Sequence, residues 1–389
     1  MSRLGPEARR LLSLVAVVPG QMDRALVEAC AGRDIEGLDE CEAHGLIESS
    51  PMAIAFRHEV VRRAVEVSLS TGERTRANRS VLDALVRLDA EPTRLVHHAR
   101  WARDAAAMIR YAPVAAANAA SLDSHREAVE HFRLLEPYVD ALPSADRGQI
   151  CLAWAREELI LGEAARAVRC AVSGVAALRA SGDAHALSRA LVQLSHAQWF
   201  HLDWEAAEAA ATEAVSVLEG TSELSRDLGR AQSECAGLAT MGYRTDEAIA
   251  LADQAIASSE LVGDRATLAH ALCSKGTALS TLDYPAGCEL IEASLDIAQD
   301  DGYGYHALRA CVSLAGVALL RCDLERAQRF IRSGYAIAID RERDSFRNDF
   351  DVLSAELHLL AGRLDQSTTL VEAAIAHAGP HYLPTLYRL

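Results

Sequence analysis

Small side chains recur at a nearly constant interval through the last two thirds of the chain. Apolar or small residues follow most of them four and seven positions later, so each helix carries one narrow stripe along which a neighbour can approach closely. Twelve residues earlier, five of the six units carry another small residue. This pattern predicts helical hairpins stacked in an α-solenoid, in which each unit buries its apolar face against the next. The recurring positions, 42, 41, 39, 40 and 40 residues apart, are Ala165, Ala207, Ala248, Gly287, Ala327 and Ser367.

The fourth unit departs from the pattern because Lys275 occupies the place of the earlier small residue. Gly276 follows directly, and with a loop one residue shorter it supplies the close approach that the other units obtain from alanine or serine.

The spacing resembles that of the tetratricopeptide repeat (TPR), which has small residues near positions 8, 20 and 27. The unit here is about 40 residues long instead of 34, which implies TPR-like hairpins with longer helices. Such arrays bind partners and seldom catalyse reactions, so we expect an architecture from this pattern but no substrate.

The first 90 residues break the 40-residue period. Helices are predicted over residues 5–17, 21–31 and 34–45, the last starting at Asp34 as N-cap, and two short strands over 46–50 and 53–58. Three helices followed by a β-hairpin is the order of a winged helix. We therefore predict an all-α chain with a winged-helix domain at 1–90 whose small hairpin is the wing. Linker helices at 93–105, 105–122 and 123–141 fill 91–142, and TPR-like hairpins of about 40 residues fill 143–389, the last one truncated.

Direct DNA binding by this domain is not expected. The helix in the recognition position, residues 34–45, contains five carboxylates and no lysine or arginine. These charges would be repelled by phosphates, and nothing there pairs bidentately with guanine. The net charge of −16 over 389 residues also argues against general nucleic-acid or anionic-membrane affinity.

Composition places the chain in the cytoplasm. The nine cysteines form no C-x-x-C pair, as expected of reduced thiols. No apolar stretch reaches 18 residues, so no membrane span is predicted.

Three segments carry a family resemblance: LGPEARRLLSLVAVV, LDECEAHGLIES and AFRHEVVRRAVEVSLS. They resemble the winged helix of the signal-transduction ATPases with numerous domains (STAND), in particular the large ATP-binding LuxR-type, MalT-like transcriptional regulators. In that family the segment follows a P-loop ATPase and precedes a TPR superhelix, and a LuxR helix-turn-helix ends the chain.

The resemblance implies a nucleotide contact. In related ATPases a histidine followed by an acidic residue, matching His58 and Glu59, contacts the β-phosphate of ADP and holds the inactive state. Arg57 would add positive charge there. The alternative is that His58 caps its own helix or packs under the wing.

The ATPase itself is not in this sequence. A P-loop needs G-x-x-x-x-G-K-[ST], and the only lysine, Lys275, lies inside a repeat helix. We therefore expect no cofactor in this chain, and ADP or ATP only through an ATPase module in cis or in trans. With no nucleophile, metal or nucleotide motif, the chain is predicted not to be an enzyme.

A binding groove is predicted on the first helices of the repeats. Positions 9 and 12 of a TPR line the concave side, and counting back from Ala165 and Ala207 places Trp154, Glu157, His196 and Trp199 there. Two indoles beside His and Glu suit a peptide, a partner protein or a small inducer. The alternative is that the longer helices bury both rings. No metal site is predicted, because no carboxylate or thiol accompanies these histidines at ligand spacing.

These observations favour the sensing and regulatory arm of a LuxR-type, ATP-dependent transcriptional regulator. A free-standing TPR scaffold for protein–protein interaction, or the regulatory arm of a multidomain cyclase or kinase, are the alternatives.

Overall fold

The computed structural model describes residues 4–32, 35–218, 225–341 and 344–377. The chain divides into two compact units, one formed by residues up to 122 with 127–142, the other by 123–126 with the residues from 143 onward. No helix among the described residues is long and apolar enough to cross a bilayer.

The first unit begins with a mixed helix and strand segment. Its elements are α1 (Pro6–Ala16), β1 (Gln21–Asp23), α2 (Arg24–Ala31), α3 (Leu38–Ala43), β2 (Ile47–Ser49), β3 (Ala53–Phe56) and α4 (Glu59–Ser68). β3 lies in the middle of an antiparallel sheet of order β1-β3-β2, with Met22 opposite Ile54. The side chains of Leu12 on α1 and of Met22 and Ile54 in the sheet are fully buried. The small sheet is consistent with the predicted wing.

Strand β1 was not predicted, because its three residues are too few to show alternation and the prediction continued the following helix across them. Asp34, the predicted N-cap of the third helix, lies outside the described residues. The described part of that helix, α3, starts after Gly37, whose φ of +81° is a left-handed conformation that glycine adopts without strain.

Helices fill the rest of the first unit. They are α5 (Thr71–Arg87), α6 (Pro92–Ala102), α7 (Ala105–Ser121), α8 (His125–Leu135) and a 3-10 helix (Glu136–Ala141), α8 starting in the segment that belongs to the second unit. Ser70 and Glu73 cap α5 reciprocally, each side chain bonding the other's backbone amide.

The second unit consists of six helical hairpins, which confirms the TPR-like solenoid. Each hairpin pairs a first helix with a second one, in the order α9 (Ser144–Ile160) with α10 (Ala164–Ser181), α11 (Ala184–Phe200) with α12 (Trp204–Ser216), α13 (Arg226–Met241) with α14 (Thr245–Val262), α15 (Arg265–Leu279) with α16 (Tyr284–Asp300), α17 (Gly304–Leu320) with α18 (Leu324–Asp340), and α19 (Asp344–Leu360) with α20 (Leu364–His377). Residues 378–389, where the truncated repeat was predicted, lie outside the described residues.

The predicted small-residue stripe is buried, with one correction. Ala207, Ala248, Gly287 and Ala327 are buried, but Ala165 is only half-buried, whereas Ala167 is fully buried. Ala167 lies 40 residues before Ala207, so it is the first repeat's anchor. The run of alanines at the start of α10 hid this two-residue offset.

In the fourth hairpin, glycine allows the two helices to approach closely, as the sequence predicts. A Cβ on Gly276 would lie 2.6 Å from the carbonyl oxygen of Gly287, so α15 and α16 touch backbone to backbone. Lys275 points to the other side and forms an ion pair with Asp253 at 2.6 Å.

Candidate functional site

The first helices of the hairpins line a concave wall that holds a cavity of about 410 Å³. Within this unit α19 returns to contact α9, so the wall curves around the cavity. Side chains of α11, α13, α15, α17 and α19 line it, together with Leu202 from the turn after α11 and Trp204, the first residue of α12. We call this space the concave cavity.

Aromatic rings form one side of the concave cavity. Trp199 packs edge-on against Phe200, with ring centroids 4.5 Å apart, and against Trp204 at 6.0 Å. Phe346 meets Phe200 at 6.1 Å and Tyr305 at 5.5 Å. These residues come from three separate hairpins, and together they offer flat apolar surface to a ligand.

Polar side chains from successive first helices form the other side. The His196 Nε2 atom lies 2.8 Å from a Glu234 carboxylate oxygen and 3.3 Å from the Tyr305 hydroxyl. The second carboxylate oxygen of Glu234 accepts a hydrogen bond from Ser195 Oγ at 2.9 Å. Arg309 donates to the backbone carbonyl of His270 at 3.1 Å and to Ser274 Oγ at 2.9 Å. The carboxylate of Glu234 is therefore buried with partners.

A second cavity, of about 550 Å³, shares this polar wall. His196, Glu234, His270 and Tyr305 line both spaces, while Arg156, Arg230 and His306 line only the second. The shared residues thus separate a compartment lined by aromatic rings and Arg309 from one lined by Arg156 and Arg230.

Burial keeps two histidines of this wall, His270 and His306, neutral. Desolvation, assisted by the charge of Arg309, lowers the pKa of His270 well below its ordinary value and that of His306 to about 3. Desolvation likewise raises the pKa of the Tyr305 hydroxyl. These rings therefore act at neutral pH as uncharged donors and acceptors.

Asp349 is a carboxyl group with no counter-charge among the residues that the structure describes. It lines the concave cavity one turn from Phe346, and no described residue forms a hydrogen bond or ion pair with it. Desolvation raises its pKa from 3.8 to about 7. A cationic group of a ligand would favour its ionised form.

We expect Asp349→Asn to change how stability depends on pH. The folded chain binds this proton more tightly than the unfolded chain, so the stabilisation is complete below about pH 4 and is lost as the pH rises through 7. Relative to wild type, the asparagine variant should gain about 2 kcal/mol in free energy of unfolding between pH 4 and pH 8, after a discount for partial solvent access. Urea unfolding at several pH values measures this, and a pH-independent difference would contradict it.

The structure places the predicted groove residues in two environments. His196 and Trp199 line the concave cavity. Trp154 and Glu157 are buried in packing: the Trp154 indole donates to Glu158 at 2.9 Å, and Glu157 contacts the His125 ring at 2.6 Å.

The two-residue offset explains this difference. Counted from Ala167 instead of Ala165, the same two repeat positions hold Arg156 and Leu159. Arg156 lines the second cavity, and Leu159 packs against the same apolar cluster as Trp199.

Several residues of the wall were missed from the sequence. Glu234, His270, Tyr305, Phe346 and Asp349 lie on later first helices, at repeat positions earlier than those counted from the TPR pattern. The twist of the array brings different positions of each helix to the cavity. The available signal was the recurrence of histidine and aromatic residues on successive first helices.

His58 and Arg57 are exposed in the first unit. His58 immediately precedes α4 at its N-cap position, and its side chain makes no capping hydrogen bond. Arg57 Nε pairs with Glu48 at 2.9 Å, while Glu59 pairs with Arg62. The hydrogen bond from Arg62 lowers the pKa of Glu59 to about 2.

Comparison with known proteins shows the fold. No protein-family model and no curated protein matches the sequence. The chain is similar to a Rap protein solved in complex with Competence and Sporulation Factor, with 13% identity over 81% of this chain and 84% of that one and a TM-score of 0.56. It is also similar to aspartyl phosphate phosphatase F from Bacillus subtilis, with 12% identity over 83% of this chain and 82% of that one and a TM-score of 0.53. The chain has a TPR-like helical repeat fold.

A third similar structure is a STAND protein with a tetratricopeptide repeat sensor from Pyrococcus horikoshii. The match has 13% identity and a TM-score of 0.42, and it covers all of this chain and 65% of that one. This chain therefore spans less than two thirds of that protein's length.

Proposed function

We propose that the repeat unit is a sensing arm that binds a peptide segment or a small inducer in the concave cavity. The observation that carries this proposal is the cavity itself, with aromatic rings on one side and hydrogen-bonding groups on the other. A volume of about 410 Å³ lies within the range of ligand pockets in proteins.

The wall defines what a ligand must offer. An apolar or aromatic group fits between Trp199 and Phe346. Hydrogen-bonding groups meet His196 and Arg309 on the opposite side, and a cationic group would meet Asp349. An amphipathic molecule satisfies all three.

The fold supports this use. The Rap protein, which has a similar fold, was solved in complex with another factor, Competence and Sporulation Factor. By analogy, we propose that partner or inducer binding is also the role of the repeats here.

We expect Trp199→Ala to weaken binding of an amphipathic probe about tenfold, which corresponds to 1.4 kcal/mol. The probe is 8-anilino-1-naphthalenesulfonate, and the measurement is its fluorescence titration with the full chain. Loss of the indole removes stacking surface from the cavity.

Trp101→Ala is the matched control. Trp101 is 38% exposed in the first unit, where Arg74 and Arg100 lie over its ring. Its loss should leave the affinity unchanged. Equal affinities for wild type and Trp199→Ala, with both variants folded by circular dichroism, would contradict the proposed site.

We further propose that this sensing arm belongs to a LuxR-type, ATP-dependent transcriptional regulator. The winged helix would transmit between an ATPase module, present in cis or in trans, and the repeats. The exposed imidazole of His58, with no capping bond to its own helix, supports a contact with a nucleotide phosphate of that module. A ligand that favours the released state over the packed state would then activate the regulator.

The genomic reading frame around the coding sequence tests this wider proposal. A P-loop module encoded upstream and a helix-turn-helix downstream would support the regulator. A cyclase or kinase in the same frame would support a different effector. In-frame stop codons on both sides would overturn the cis arrangement and favour a free-standing scaffold for protein–protein interaction.

A further inference from the structure

Two imidazoles and one carboxylate converge between the two cavities. His196 lies on α11, Glu234 on α13 and His270 on α15, and one donor atom from each lies within 4.8 Å of the others. The two rings are nearly parallel, with a 20° interplanar angle and centroids 5.9 Å apart. We propose that these three side chains form a binding site for a divalent transition-metal ion, for which Zn²⁺ is the best match.

The donor set fits that ion. Two histidines and one carboxylate are a common protein ligand set for zinc, and imidazole favours zinc and its neighbours over Mg²⁺ or Ca²⁺.

The surroundings orient the donors. Ser195 Oγ holds one oxygen of Glu234 at 2.9 Å, which leaves the other oxygen facing His196 at 2.8 Å. Partners of this kind fix ligand orientation in metal sites. Arg309 binds the His270 carbonyl and Ser274, which ties α15 to α17 next to the ring.

Charge and distance set what binding requires. Ligand atoms at about 2.1 Å from zinc lie at most about 4.2 Å apart. The three donor atoms here lie within 4.8 Å of one another, so side-chain rotations must bring the most distant pair closer together. The charge of Arg309 opposes a cation, and the carboxylate of Glu234 offsets it. Without a metal, His196 and Glu234 pair at 2.8 Å beside the His270 ring.

The three protein donors would leave coordination positions open. All three side chains line both cavities, so water or a ligand group from either side can complete the shell. The ion would connect the first helices of three successive hairpins and would fix their relative positions.

Cobalt substitution tests the site. The full chain, freed of any affinity tag and treated with a chelator, is titrated with Co²⁺ while visible d–d absorption is recorded. We expect saturation at one equivalent and displacement by Zn²⁺. His196→Ala and Glu234→Gln should abolish the absorption, and Ser195→Ala should weaken binding about tenfold.

His185→Ala is the matched control, because His185 lies on α11 as well but pairs with Asp227 at 3.0 Å. It should bind Co²⁺ as wild type does. His270→Ala removes a buried ring, so circular dichroism must first show that it folds; His196, with 25% of its side chain exposed, provides the independent test.

The proposal is overturned if wild type shows no saturable absorption, or if His185→Ala loses it to the same extent as His196→Ala. Probe binding in the concave cavity is measured separately with chelator present. Its outcome therefore stays distinct from that of the metal site.

Discussion

Replacing Gly287 with alanine is expected to lower the free energy of unfolding by about 3 kcal/mol, the upper part of the range for overpacked sites. A Cβ at this position would lie 2.5 Å from the backbone nitrogen of Ser280 and 2.6 Å from the carbonyl oxygen of Gly276. Both are backbone atoms, so no side-chain rotation can relieve the clash. The two helices of the fourth hairpin would have to separate.

Gly316, on the first helix α17, provides the matched control. A Cβ there meets no atom within 4 Å. Gly316→Ala should therefore gain about 0.5–1 kcal/mol, because alanine is the better helix former. Urea unfolding followed by circular dichroism measures both variants. A Gly287→Ala protein as stable as wild type would show that the backbone contact between α15 and α16 is not required.

Phe350→Ala is expected to cost about 4 kcal/mol, as for other fully buried phenylalanines. The ring of Phe350 is inaccessible to solvent and fills the space above Gly334. A Cβ on Gly334 would overlap the ring's Cζ atom. The bulky residue on α19 and the missing side chain on α18 are thus complementary, and either change alone disturbs the fit.

A double-mutant cycle tests this complementarity. Gly334→Ala alone should cost about 2 kcal/mol through overpacking, but much less in the Phe350→Ala background, where the ring is gone. Denaturant unfolding of the four proteins gives the coupling energy. Strict additivity would mean that the two residues do not share a packing site.

The repeat architecture could be predicted because its cause is local and periodic. A small residue at the crossing of two helices is required in every unit, so six units repeat one signal. The offset at Ala165 shows the limit: where α10 begins with several alanines, composition alone does not identify the one at the crossing. Strand β1 was missed for a related reason, since three residues carry no period and its pairing partner, Ala53–Phe56, is distant in the chain.

The candidate site was only partly accessible to sequence reasoning. His196 and Trp199 lie on one helix and could be found by counting repeat positions. Glu234 and His270 join them only because the hairpins stack with a twist that the sequence pattern does not state. The sequence around His196 has no second metal ligand at a suitable spacing, but this did not exclude a metal site assembled from three separate hairpins.

Hydrogen exchange with and without 8-anilino-1-naphthalenesulfonate tests the central claim, that the concave cavity is the ligand site. Bound probe should slow exchange in the first helices that line it, α11, α13, α15, α17 and α19, and at the start of α12, and leave α14, α16, α18, α20 and the winged helix unchanged. Protection confined to the second helices, or to residues 4–68, would contradict the account.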